Sequence, residues 1–273
     1  MSLAETKLID VGRSVQISVT ISQADGDLQH DTPTLVFLHF WGGSSRTWSL
    51  VTPLLSGCAT LSLDLRGWGH STGPDLAEAY SIRSLADDVR TVITTLKLES
   101  VVLVGLSMGA KVAQVCAGAM RHPKIKGLVL LSPAPATPLS LPPHMREQQI
   151  HAYDHAKSAE FVARNVLTES FRGRELPGFV VEDMLRGNRW AREAWPAYSM
   201  AEDVSESLED IHVPVLIIAA EKDQVEPLER IQREVAGRIG LAEVEVLVGS
   251  GHLSPVDAPQ AVADHILRFL ARL

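Results

Sequence analysis

Short apolar runs, each bounded by polar or turn-forming residues, recur along the chain at 35–38, 59–63, 101–104, 127–131, 213–219 and 244–248. Runs this short, rich in Val, Leu and Ile, are what strands covered on both faces of a sheet look like. Between several of them the period changes. Over 84–98, Leu85, Val89, Val92, Ile93 and Leu96 fall at three-and-four spacing, which makes one apolar stripe and sets Asp87, Asp88 and Arg90 on the outer face. The segment 108–120 reads as a helix of small residues closed by His122-Pro123. The segment 259–273 reads as a last amphipathic helix that turns Val262, Ile266, Phe269 and Leu270 inward, with Asp257 as its N-cap. Strand alternating with helix predicts an α/β fold with a mainly parallel, doubly wound sheet. The period-two alternation at 14–22 predicts antiparallel strands added at one edge.

Between 132 and 213 the alternation stops. Pro133, Pro135, Pro138, Pro142 and Pro143 come first, then mixed helical sequence holding Trp190, Trp195 and Tyr198. Compact domains rarely carry a structureless loop of this length. The segment 133–205 is therefore predicted to be a helical cap inserted into a core built from 1–132 and 206–273.

The 273 residues suffice for a large buried core without disulfides. With 45% hydrophobic and 21% charged residues, the composition excludes disordered and fibrous classes. The 25 Lys and Arg are scattered among 33 Asp and Glu, for a net charge of −8, so no electrostatic footprint for nucleic acid or an anionic membrane is present. The expected partner is a small-molecule substrate. Cys58 and Cys116 are too few for a zinc cage or a disulfide framework, and both sit in apolar contexts, as reduced buried thiols do. The stretch Met1-Ser-Leu-Ala-Glu-Thr-Lys7 lacks the marks of a signal peptide, and no apolar run reaches the roughly 18 residues a membrane span needs. A cytoplasmic protein is expected.

The candidate chemistry starts at Gly105-Leu-Ser-Met-Gly109, directly after a buried strand and before a small-residue helix. A sharp strand-to-helix turn lifts a serine hydroxyl above the sheet edge, and small neighbours relieve the crowding this causes. Ser107 is the candidate nucleophile, and the backbone amide of Met108 at the helix N-terminus a candidate oxyanion donor. Among ten histidines, His252 stands out, in Gly249-Ser-Gly-His-Leu-Ser-Pro255 beyond a strand's C-terminal end, where ligand sites of open sheets collect. His265 and His122 belong to helix patterns, and His30, His144 and His212 have no strand-end setting. For the acid, Asp223 follows the strand at 213–219, with Glu221 and Glu226 as competitors on the same loop. No cofactor is implied. His151 and His155, with Glu147 one turn earlier, could face a metal from one side of a helix, but the His-Glu-x-x-His pattern is missing and a solvated surface is expected. The glycines of 64–71 do not open a helix, which argues against dinucleotide binding.

The order nucleophile, acid, histidine is that of one superfamily. In Leu38-His-Phe-Trp-Gly-Gly-Ser44, Asp64-Leu-Arg-Gly-Trp-Gly-His-Ser71, Gly105-Leu-Ser-Met-Gly109, Glu221-Lys-Asp223 and Gly251-His252, the chain resembles the α/β-hydrolases over essentially its full length. Within them it resembles the capped, serine-nucleophile branch of esterases, lactonases and haloperoxidase-like enzymes. The resemblance implies an α/β-hydrolase fold with Ser107, Asp223 and His252 as catalytic triad, Met108 as one oxyanion donor, and a second from the loop after the third strand. That donor usually follows a His-Gly pair; here the pair reads His39-Phe40 and Trp41 takes the position. The family also usually has glycine where Ala220 stands. It further implies a structural loop at 64–71, with His70 noncatalytic.

The implied activity is hydrolysis of a carboxylic ester, lactone or thioester of a small apolar acid through an acyl-enzyme. Other reactions compatible with the same triad are carbon–carbon bond hydrolysis and cofactor-free perhydrolysis or haloperoxidase-like chemistry, and a slow-turnover ligand receptor uses the same residues. A serine at 107 excludes the related mechanisms that use an aspartate nucleophile. Phe40, Trp190, Trp195 and Leu253 are the candidates to line the substrate pocket, while Tyr198, Met145 and Phe161 either join them or pack the cap onto the core.

Overall fold

The computed structural model describes residues 4–23, 32–118 and 122–273. His30 and the end of the helix pattern at 119–120 lie outside the described residues. Among the described residues the core is one eight-stranded sheet in the order β1-β2-β4-β3-β5-β6-β7-β8. Its strands are β1 (Glu5–Gly12), β2 (Val15–Ser22), β3 (Thr34–Leu38), β4 (Thr60–Leu63), β5 (Val101–Leu106), β6 (Ile125–Leu131), β7 (Val215–Ala220) and β8 (Ala242–Leu247). β1 and β2 form an antiparallel hairpin that joins the sheet antiparallel to β4, and the pairs from β4 to β8 are parallel. The period-two segment thus becomes β2, one strand in from the edge that β1 forms.

The central strands are buried along their whole length, as their unbroken apolar runs require. β8 departs from that reading. It is the edge strand, Glu243 and Glu245 alternate outward, and only Leu247 is fully buried. Leu38 of β3 lies opposite Gly105 of β5, so the chain leaves both strands at the same sheet edge.

Helix α1 (Ile82–Thr95) starts slightly before its predicted stripe, because the Ser81 hydroxyl accepts the amide of Ser84 and caps it. Leu85, Val89, Val92 and Ile93 are buried as expected, but Asp88 is not on the outer face. It is buried and takes the Arg66 guanidinium in two hydrogen bonds of 2.6 and 2.8 Å; a charged partner in the loop after β4 overrode the helical pattern. Helix α2 (Met108–Ala117) follows β5.

Between β6 and β7 lie helices α3 (Pro143–Ile150), α4 (Ala156–Val162), α5 (Gly178–Arg186) and α6 (Arg189–Ala197), with α4 running on into a π-helical turn, Ala163–Leu167. Lys111 of α2, fully buried, fastens the end of this insert: its ammonium donates to the carbonyls of Met200 at 3.0 Å and Glu202 at 2.8 Å. Met145 and Phe161 are exposed.

The chain closes with α7 (Leu228–Glu234), α8 (Ser254–Asp257) and α9 (Pro259–Leu270). Asp257 does not cap α9. The short α8 turns its carboxylate the other way, where it accepts the amides of Gly251, Glu169 and Ser170. Cys58 and Cys116 are buried free thiols. Among the described residues no helix is long and apolar enough to cross a membrane.

Candidate active site

Ser107 sits between the last residue of β5 and the first of α2 with φ 54° and ψ −113°, a backbone state that costs about 1–3 kcal/mol for a residue with a Cβ. Its neighbours hold it there. The Ser107 amide donates to Leu131 of β6 at 3.0 Å, and its carbonyl accepts the amides of Ala110 and Lys111 at 3.0 and 3.1 Å. A Cβ on Gly105 would come within 2.7 Å of the Ala110 backbone, and one on Gly109 within 2.6 Å of the His39 carbonyl. The two glycines therefore let α2 cross β5 and touch the end of β3. The amide of Met108, in the first turn of α2, has no helical acceptor.

His252 and Asp223 are brought together from the ends of β8 and β7. The imidazole Nδ1–H donates to both carboxylate oxygens, at 2.8 and 3.1 Å, and both side chains are buried. Asp223 Oδ1 also accepts the amides of Val225 and Glu226 at 2.8 and 2.9 Å. Burial pushes the Asp223 carboxyl up, but the charge and hydrogen bond of His252, the nearby Ser132 hydroxyl and the Glu226 amide outweigh it and hold the group below its usual range. Burial pulls His252 down, while Asp223, and to a lesser degree Glu226, raise it above its ordinary value. With Nδ1 engaged, the tautomer leaves Nε2 as the free base.

Of the competitors on this loop, Glu221 is exposed and accepts the Gly249 amide at 2.9 Å, away from the imidazole. Glu226 is buried within the electrostatic reach of both His252 and Asp223, bound to Arg230 at 3.2 Å. Its burial had no signal in the sequence, where it is a polar residue on a loop.

The loop after β3 is set by His39. Its Nδ1–H donates to the Phe40 carbonyl at 2.7 Å, and its Nε2 accepts the Leu65 amide at 2.9 Å. Burial keeps the His39 pKa low, so the ring is neutral. The Phe40 carbonyl also accepts the Gly43 amide at 3.0 Å. In a trans peptide the N–H points opposite to the C=O, so the Trp41 amide is fixed facing away from His39. Phe40 needs no glycine-like backbone: the left-handed residue of this loop is Gly42, at φ 99°. The segment 64–71 braces the loop from below, Asp64 accepting the amides of Ser45 and His70 at 2.6 and 2.8 Å. His70 itself turns outward.

Phe40 and Leu253 line a small cavity with Gly43, Thr47, Phe179 and Val180, in which the centre of a water can move over only about 10 Å³. Trp190 is not there. It donates to Asp75 and lies under the Arg189 guanidinium, while Trp195 is buried without lining this cavity. His151 binds Asp154 and Glu147 on the exposed helix surface, and His155 caps α4 through the Ser158 amide.

Residues 35–265 match the model of the alpha/beta hydrolase family. The chain is 28% identical to an AB hydrolase superfamily protein of Bacillus subtilis, covering 89% of this chain and 93% of that one. It is 27% identical to a bifunctional esterase/perhydrolase of Acinetobacter calcoaceticus, covering 88% and 92%. Among solved structures, a bromoperoxidase from Bacillus anthracis superposes with a TM-score of 0.85 over 98% of this chain and all of the other, at 18% identity.

Proposed function

The chain belongs to the alpha/beta hydrolase family, and on that premise we propose that it is a serine hydrolase that cleaves a carboxylic ester, lactone or thioester of a small apolar acid through an acyl-enzyme. The observation that carries this reading is the buried His252–Asp223 hydrogen bond, in a chain that also holds a strained serine at a helix N-terminus. His252 Nε2 takes the Ser107 proton as Oγ attacks the carbonyl carbon, and the amides of Trp41 and Met108 receive the oxyanion. Collapse of the tetrahedral intermediate expels the alcohol or thiol, which leaves with the proton from His252. Water, deprotonated by the same nitrogen, then releases the acid. Asp223 stays ionised throughout and stabilises the imidazolium.

A small apolar acid is favoured because Ser107 and His252 are buried and their chain neighbours Met108 and Leu253 are buried apolar residues. Turnover of p-nitrophenyl esters should fall as the acyl chain lengthens. A fluorophosphonate probe should label the wild type and not Ser107→Ala; equal labelling of the two would sink the nucleophile assignment. The name of the Acinetobacter relative supports a second outcome at the same acyl-enzyme, attack by hydrogen peroxide in place of water to give a peracid. Peroxide-dependent bromide oxidation in acetate buffer, lost in Ser107→Ala, tests it.

A further inference from the structure

Trp41 is held at more points than a loop residue needs, and the holds come from two different parts of the molecule. From the core, His39 and Gly43 fix the peptide that carries the Trp41 amide, through the Phe40 carbonyl. Its carbonyl and its indole are held by the insert. The Tyr153 phenol donates to the Trp41 carbonyl at 2.8 Å, and its ring stacks on the indole at 4.2 Å between centroids. The indole Nε1–H donates to the Arg192 carbonyl at 3.0 Å, and the Arg192 guanidinium donates back to the carbonyl of Tyr153 at 3.0 Å. A Cβ on Gly42 would lie 2.6 Å from the Tyr153 ring, so ring and loop backbone are in direct contact.

The consequence is mechanical. The core sets one peptide plane of residue 41, while the insert sets its other peptide plane and its side chain. Ser107 is 7% and His252 2% exposed. Without Tyr153 and Arg192 the amide plane would keep its hold through the Phe40 carbonyl, while the carbonyl and indole of Trp41 would lose theirs.

We propose that Tyr153 is a positioning residue: by gripping the Trp41 carbonyl it fixes the second peptide plane of residue 41 and so holds still the residue whose amide, aimed by the core, receives the oxyanion. This rests on the reading of Ser107 as nucleophile and of the Trp41 amide as oxyanion donor. Tyr153 touches no reacting atom in this scheme. Its effect runs through the backbone of Trp41.

Tyr153→Phe keeps the stacked ring and removes only the hydroxyl. With a short-chain p-nitrophenyl ester, kcat should fall roughly tenfold with KM within about twofold of wild type, the scale set by one hydrogen bond that matters only in the transition state. Affinity for a trifluoromethyl ketone, which forms a tetrahedral adduct on the serine, should fall by the same factor as kcat/KM, while affinity for the product acid stays unchanged. A general loosening of the fold would weaken both ligands alike. Arg192→Met, which releases the Tyr153 carbonyl, should show the same pattern at smaller size and serves if Tyr153→Phe does not fold. Wild-type kcat and adduct affinity in a folded variant would overturn the assignment. Loss of both ligands in parallel would overturn it too. If wild type is not labelled at Ser107, or Ser107→Ala keeps its turnover, the underlying reading fails instead; an inert Ser107→Ala beside a fully active Tyr153→Phe removes only the role of Tyr153.

Discussion

Replacing Glu226 by Gln should make the protein more resistant to heat at alkaline pH than at acid pH, relative to wild type. The Glu226 side chain is 1% exposed, and its one cationic partner, Arg230, lies at 3.2 Å and is itself partly in solvent. Burial pushes the carboxyl up; Arg230 and His252 pull it back only in part, Asp223 adds to the rise, and it settles at about 7 against an ordinary 4.5. That gap is worth on the order of 3 kcal/mol. Because the folded state holds this proton more tightly than the unfolded chain, the contribution is fully present below pH 4.5 and is lost as pH climbs through 7. Glutamine is neutral throughout and avoids the loss. For a chain of this size the variant should gain roughly 5–10 °C in Tm over wild type on going from about pH 4.5 to 8.5. Scanning calorimetry of both proteins across that range measures the change. A difference in Tm that stays flat with pH, or that grows toward acid, would refute the assignment of Glu226 as a buried group titrating near neutrality. The same substitution removes one of the charges that raise His252, so the acid limb of the rate profile should move to lower pH.

Two other substitutions test the charged groups of the fold. Asp223→Asn keeps an acceptor for the Val225 and Glu226 amides and should fold, yet lower kcat on the order of 10³- to 10⁴-fold. Its residual activity should extend to lower pH than that of the wild type, because the burial of His252 is then unopposed by the anion; an unmoved limb in a pH–rate profile would contradict this. Arg66→Met strands Asp88 without its bidentate partner and should cost about 3–5 kcal/mol in urea unfolding at neutral pH. Burial already raises the Asp88 pKa, so the loss should shrink as acid protonates it; equal losses at pH 4 and 8 would argue against a stranded charge.

Much of the site was legible because its parts are local. Strand, Gly-x-Ser-x-Gly and small-residue helix are contiguous, and Gly105 answers to a contact with its own neighbour Ala110, although Gly109 answers to the distant Leu38 and His39 carbonyls. Asp223 and His252 were readable as strand-end residues, since parallel strands deliver their C-terminal loops to one edge. Where pattern reading failed, a distant partner had changed the local preference. Asp88 looked like a solvent-facing helix residue until Arg66 met it, and Asp257 looked like a cap for α9 until the Gly251 and Glu169 amides took it. The replacement of glycine by Phe40 falls between these cases. The sequence shows the departure, but only the backbone shows that the left-handed turn is carried by Gly42 instead.

The sequence by itself determined the sheet and the elbow, and marked Ser107, Asp223 and His252 as strand-end candidates, because hydrophobic period and turn chemistry act over a few residues. Which aromatic residues meet the site is a matter of how the insert between β6 and β7 lies across the core, and no periodicity encodes that. Trp190 is half-buried and pairs with Asp75 and Arg189, while Tyr153 stacks on Trp41. The burial of Glu226 and the double hold on Trp41 come from contacts between segments far apart in the chain, and only the tertiary structure decides them.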